Sequence, residues 1–161
     1  LNKTNITDLT PISGLSNLQR LTFSNTKVSN LGPLSHLTSL MHIEMSQTRV
    51  SDLGPIMHLK NIEHLDLSKT QVKDISHLVG LSRLKYLWLN HTQILNFHPF
   101  SLLENLNGLH LQKVVSLDDQ RLFHFYNLKN LLLLNLQDTQ VSQSGLKRLK
   151  EELSDDCMIL D

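Results

Sequence analysis

Alanine does not occur in this chain of 161 residues, and cysteine and tryptophan occur once each. A single thiol, Cys157, excludes an internal disulfide framework. Basic and acidic side chains balance at 15 each, which removes any general attraction to nucleic acid or anionic membrane. No apolar run approaches the ~18–20 residues that a membrane span needs. Catalytic signatures are missing too: there is no nucleophile elbow, no H-E-x-x-H, no phosphate-cradling glycine loop and no C-x-x-C. No enzymatic activity, cofactor or membrane insertion is therefore expected. One free cysteine is compatible with a reducing cytosol but fixes no compartment. The opening Leu1-Asn2-Lys3 carries neither Met nor a signal-peptide pattern, so a longer protein is expected around it.

Leucine, by contrast, makes up more than a fifth of the chain, and its placement is periodic. Thr4, Thr26, Thr48, Thr70 and Thr92 recur every 22 residues. Two residues after each come Ile6, Val28, Val50, Val72 and Ile94; five after come Leu9, Leu31, Leu53, Ile75 and Phe97. Pro11, Pro33, Pro55 and Pro99 keep the same phase, with His77 in the fourth unit. The pattern then stumbles. Val114 stands where threonine is due, and Thr139 follows 25 residues later, so this unit carries three extra residues.

Within a unit, Leu65-Asp66-Leu67 and Leu87-Trp88-Leu89 alternate with period two and read as short strands. Leu78, Leu81, Leu84 and Leu87 are spaced by three, which suits a 3₁₀ return. Asp52-Leu53-Gly54-Pro55 supplies the turn between them, with proline expected at the first helical position. One such unit cannot bury its own leucines, but stacked units merge them into a continuous core with the strands side by side.

Ile62-x-x-Leu65-x-Leu67-x-x-Thr70-x-Val72 resembles the leucine-rich repeat, L-x-x-L-x-L-x-x-N/C-x-L. The 22-residue length, with Thr48-x-Val50-x-Asp52-Leu53-x-Pro55, is similar to the short-repeat subclass of bacterial internalin-like proteins. The resemblance implies an α/β leucine-rich-repeat solenoid. Its curved, right-handed parallel sheet would lie on the concave side, and short 3₁₀ or α returns on the convex side. Threonine departs from the family's asparagine, whose side chain ties neighbouring coils together; the threonines are expected to do part of this work with one donor instead of two. A single domain over residues 1–161 is expected, in about seven coils. Residues 1–16 form a truncated first coil, 112–139 the irregular coil, and 140–161 a C-terminal cap.

The family's usual binding surface is the concave sheet face, and the register lays out its columns. Arg20, His42, His64, Tyr86, Gly108 and Leu133 precede the first strand leucine. Thr22, Glu44, Asp66, Trp88, His110 and Asn135 lie between the two leucines. Ser24, Ser46, Ser68, Asn90, Gln112 and Gln137 follow. All three columns are expected to face outward. A fourth column, with Lys69, His91 and Lys113, comes next. Trp88 and Tyr86 are the candidate anchors for a partner protein, framed by Asp66, His64, His110, His91, Glu44, His42 and Arg20. Two alternatives stand beside this protein-interaction module. One is a structural spacer array within a larger, host-directed bacterial protein. The other is a ligand- or metal-sensing site at His42 and His64, which should sit roughly 5 Å apart on adjacent strands with Glu44 and Asp66 nearby. The same histidines suggest an interface that titrates near neutrality.

Three features lie outside the sheet. Cys157 is expected in a closing strand, Cys157-Met158-Ile159, rather than as a nucleophile. In the irregular unit Asp118 or Asp119 offers an N-cap, with Phe123 or Tyr126 exposed on the convex side. The stretch Ser144–Leu153 is amphipathic and reads as a terminal cap. A monomer is expected, except that Leu1 enters partway through a unit. Further repeats or a cap are therefore expected before it, and the open edge would otherwise associate.

Overall fold

The computed structural model describes residues 1–161. Seven strands lie in chain order in one parallel sheet: β1 (Arg20–Thr22), β2 (His42–Glu44), β3 (His64–Asp66), β4 (Tyr86–Trp88), β5 (Gly108–His110), β6 (Leu133–Asn135) and β7 (Met158–Leu160). Pairing is residue for residue, so Leu21, Ile43, Leu65, Leu87, Leu109, Leu134 and Ile159 form one inward row. Each strand sits one residue earlier than the Leu-x-Leu pattern suggests, because the second leucine already begins the turn. Its side chain is still buried, as Leu67 and Leu89 show. The chain thus forms the expected solenoid, with one apolar cluster of 42 buried residues running its length.

The returns are 3₁₀ turns: Gly32–Leu34, Gly54–Ile56, Ser76–Leu78 and His98–Leu102 in the middle coils. Each starts where a short polar side chain takes an orphan N–H. Asp52 Oδ1 accepts from Gly54 N–H at 2.8 Å, and Asn30, Asp74 and Asn96 repeat the contact. Proline occupies the second helical position, not the first; its missing N–H is still one the helix would leave unpaired.

The threonines act differently from expectation. Thr26, Thr48, Thr70, Thr92 and Thr139 donate their hydroxyls at 2.6–2.8 Å to the carbonyl three residues back, within their own coil. They close a turn and do not tie coils together. That turn needs a residue at positive φ, and Asn25, Gln47, Lys69, His91, Lys113 and Asp138 all adopt φ of 53–58° with no glycine among them. A side chain at such a φ costs about 1–2 kcal/mol. What holds it there is the backbone: the N–H of Gln47 donates to Ser68 O at 2.9 Å, that of Lys69 to Asn90 O and that of His91 to Gln112 O, both at 2.8 Å. These main-chain bonds supply the tie between coils.

The coil between β5 and β6 steps by 25 residues, Gly108 pairing with Leu133. Its 3₁₀ helix is longer, Asp119–Phe125, with Asp118 as N-cap accepting from Gln120 N–H. Phe123 is exposed, whereas Tyr126 packs half-buried against the core. The one α-helix, α1 (Gln143–Glu152), buries Leu146 and Leu149, and its C-cap Leu153 is buried with them. Ser142 caps α1 through Gly145 N–H at 3.1 Å. Asp119 accepts both the N–H and the hydroxyl of Ser142 and lies 3.6 Å from Arg148. Those bonds hold the carboxyl below the usual carboxylate range. The closing strand is Met158–Leu160, one residue later than read from the sequence. Burial pushes the thiol of Cys157 up, away from nucleophilic character. No helix is long and apolar enough to cross a membrane.

Candidate functional site

In-register parallel strands place equivalent side chains about 4.8 Å apart, close to the spacing of stacked rings. The outer face of β2 to β5 uses this. His42 stacks on His64 with ring centroids 5.0 Å apart, and His64 on Tyr86 at 4.7 Å. In the next column Trp88 stacks on His110 at 5.4 Å, and Tyr86 and Trp88 lie 6.1 Å apart. All these ring planes agree within 25°. The stack ends at Gly108 for a steric reason. A Cβ there would sit 2.8 Å from Tyr86 Cδ1, so the absence of a side chain lets the tyrosine ring lean over β5.

Polar groups edge the stripe. His42 Nε2 donates to Glu44 Oε1 at 2.7 Å, with Arg20 Nη1 3.3 Å from the same nitrogen and 3.9 Å from the carboxylate. Asp66 Oδ1 accepts from Ser68 N–H at 2.8 Å. His64, Tyr86, Trp88 and His110 are half-buried, whereas Arg20 is exposed. The seven candidate residues other than Arg20 and His91 thus form one contiguous patch, and the exposed Arg20 joins its edge at His42. His91 does not share the strand face. It stands at the positive-φ turn beyond β4, exposed, in a polar groove with Lys69, Ser68, Asn90 and Gln112.

Not every outward column is outward. Ser24, Ser68 and Asn135 are buried, and polar side chains in these columns take backbone N–H groups of their own or the next coil. Ser24 Oγ accepts from Ser46 N–H, Asn90 Oδ1 from Gln112 N–H and Asn135 Oδ1 from Gln137 N–H. The metal-sensing alternative meets a geometric obstacle. The stacked His42 and His64 rings lie in parallel planes, one nitrogen of His42 is taken by Glu44, and no three His, Cys, Asp or Glu side chains converge on a point. Burial, then the charge of His42, holds His64 below its ordinary value of 6.5. Burial does the same to His110 against the opposing pull of Asp66.

Three residues central to this architecture escape a sequence reading. Gly108 was signalled only by being a glycine inside a strand. Lys69 and Lys113 occupy positions where nothing in their chemistry announces a positive φ.

Comparison with known proteins agrees with this geometry. A family model described as Leucine Rich repeats (2 copies) matches residues 60–102. No curated protein matches the sequence. The solved structure of internalin C2 from Listeria monocytogenes is 28% identical, with a TM-score of 0.80 over 99% of this chain and 68% of that one. A second Listeria monocytogenes internalin, internalin F, is 18% identical with a TM-score of 0.67 over 98% of this chain and 58% of its own. A leucine-rich repeat protein of Leptospira interrogans is 19% identical with a TM-score of 0.69, over 92% of this chain and 44% of its own. These last two share the fold. Leucine-rich repeat scaffolds of this kind serve in general as protein-interaction modules rather than as enzymes. Residues 60–102 thus carry leucine-rich repeats, and the chain as a whole is similar in fold to the internalins.

Proposed function

We propose that the concave face around Trp88 and Tyr86 binds a partner protein. The observation that carries this reading is the stacked stripe of His42, His64, Tyr86, Trp88 and His110, which stays half-exposed although every other large aromatic but Phe123 and Tyr126 is in the core. Rings that are fixed against one another before binding lose little freedom when a partner arrives. Aromatic side chains set among polar neighbours are the usual anchors of protein interfaces. Mechanistically the module acts by pre-organisation: the sheet sets the spacing, and the columns supply the chemistry.

Affinity capture with the full-length protein, followed by mass spectrometry, identifies the partner. Trp88→Ala and Tyr86→Ala are then compared with the unaltered protein, with circular dichroism confirming the fold. The expected result is loss of capture in both variants. Capture that survives both overturns the concave-face reading and favours a spacer role.

A further inference from the structure

The face that the proposed partner would cover is unbalanced in its hydrogen-bonding groups. Because the rings stack on one another through neighbouring coils, their π-faces are already in contact, and what they turn outward is edges. A ring edge carries positive partial charge. On Trp88 and Tyr86 it also carries an N–H or O–H that has no partner within the chain, and neither group is buried. Of the acceptors beside them, one oxygen each is already engaged. Asp66 Oδ1 and Asn90 Oδ1 each take a backbone N–H, and Glu44 Oε1 takes His42. The amide NH₂ of Asn90, in contrast, remains a free donor.

The charges point the same way. The groove at the C-terminal ends of β3 and β4 is lined by Asp66, Ser68, Lys69, Asn90, His91 and Gln112, with no apolar side chain. Lys69 and Lys113 flank His91 from the two neighbouring coils, and neither is in an ion pair. Two carboxylates are close to this end: Asp66 lines the groove with its Oδ1 taken by Ser68 N–H, and Asp138 accepts from Gln112 at 3.4 Å. Two cations without an ion pair, Lys69 and Lys113, therefore stand two coils and about 9.6 Å apart along the strand ends. An extended segment rises about 3.3 Å per residue, so acidic groups two to four residues apart bracket that distance within the reach of the flexible lysine stems.

We infer that the partner segment received here is extended and acidic, its carboxylates meeting Lys69 and Lys113 while its backbone carbonyls meet the ring edges of Trp88 and Tyr86. This rests on the concave-face reading and names the chemistry of its partner.

Trp88 is the only tryptophan, so its fluorescence reports directly on the site. The probes are end-blocked octaglutamate, octaserine and octalysine peptides, titrated at low salt, with heparin as a sulfated polysaccharide control. Octaglutamate is expected to bind best, and the double variant Lys69→Glu/Lys113→Glu to weaken it by about tenfold or more. Lys69→Gln/Lys113→Gln serves as a milder pair, since Gln47 already occupies the equivalent position, and is expected to lie between. Octaserine or octalysine binding as tightly as octaglutamate overturns the inference. So does an affinity unmoved by either lysine pair, or heparin binding without octaglutamate binding. Capture lost in Trp88→Ala and Tyr86→Ala together with no preference for octaglutamate would leave the binding face standing and remove only its acidic partner. Preference for octaglutamate with capture intact in both aromatic variants would leave only a preference of the lysines for carboxylates, and would remove the aromatic face and the inference with it.

Discussion

The coils of β2 to β4 and the coil between β5 and β6 solve the same problem with different means. In the regular coils a threonine hydroxyl closes the turn, a three-residue 3₁₀ helix returns the chain, and aliphatic side chains fill the interior. In the wider coil Val114 replaces threonine and a seven-residue 3₁₀ helix makes the return. An aromatic ring, Phe125, fills the added width there and packs against the preceding coil, 5.1 Å from Phe100, which in turn lies 5.8 Å from Phe97. The difference teaches a division of roles. Where the period is strict, identical backbone leaves the outward columns free to vary, and the aromatic stripe is built there. Where the period breaks, side-chain volume is spent on closing the core and seating α1.

The comparison is most severely tested at Phe125. Its counterparts Ile56 and Leu78 fill narrower coils, so Phe125→Ala should leave the larger void and cost about 3–5 kcal/mol by urea denaturation. A loss no greater than that of Leu78→Ala would mean that the aromatic filling is incidental. Threonine and valine at the turn provide a smaller and paired test. Thr70→Val deletes the hydroxyl bond to Leu67 O and should cost about 1 kcal/mol. The reverse change, Val114→Thr, finds the same geometry at Leu111 O and should move stability by less than about 0.5 kcal/mol in either direction. Equal and opposite effects would erase the distinction between the two kinds of coil.

The smallest effect is in pH. Folded-state values of His64 and His110 lie below 6.5, so on acidification the unfolded chain takes up protons first. Stability contributed by these neutral rings is complete above pH 6.5 and declines as pH falls through the lowered values. His124, pushed down by burial and by His98, adds the same sign from the irregular coil. Melting temperature should therefore drop below pH 6.5, and the drop should shrink in His64→Gln/His110→Gln more than in His124→Gln. A melting temperature that rises on acidification contradicts the stacked arrangement.

Most of the fold is legible in the residues because a parallel solenoid converts sequence period directly into spatial register. Once Thr48 and Thr70 are in phase, His42 must neighbour His64 and Asp66 must neighbour Trp88. Legibility fails where the determinant is backbone geometry instead of residue type. The threonines look like rungs between coils, yet their hydroxyls bend back into their own turn, because the neighbouring carbonyls are already occupied by main-chain donors. Side-chain orientation fails similarly. Columns show that Tyr86 and Trp88 share a face, but only stacking angles show that their rings turn edges outward, and only the bare backbone of Gly108 shows where the tyrosine goes. The bracing of α1 by Asp119 was hidden for another reason: its partners Ser142 and Arg148 are distant in sequence and outside the period.

One further consequence belongs to the residue-for-residue pairing of the strands. Because equivalent positions recur every 22 residues, deleting or duplicating that many codons anywhere among the regular coils rejoins like with like. Sheet pairing, turn conformation and column alignment all survive the splice. A deletion one codon longer or shorter has to be taken up within the coil it falls in, as the coil between β5 and β6 takes up its three extra residues in a longer return. Whole coils are thus the simplest quanta by which this surface lengthens or shortens, and each adds or removes one row of a face whose chemistry is set elsewhere, row by row.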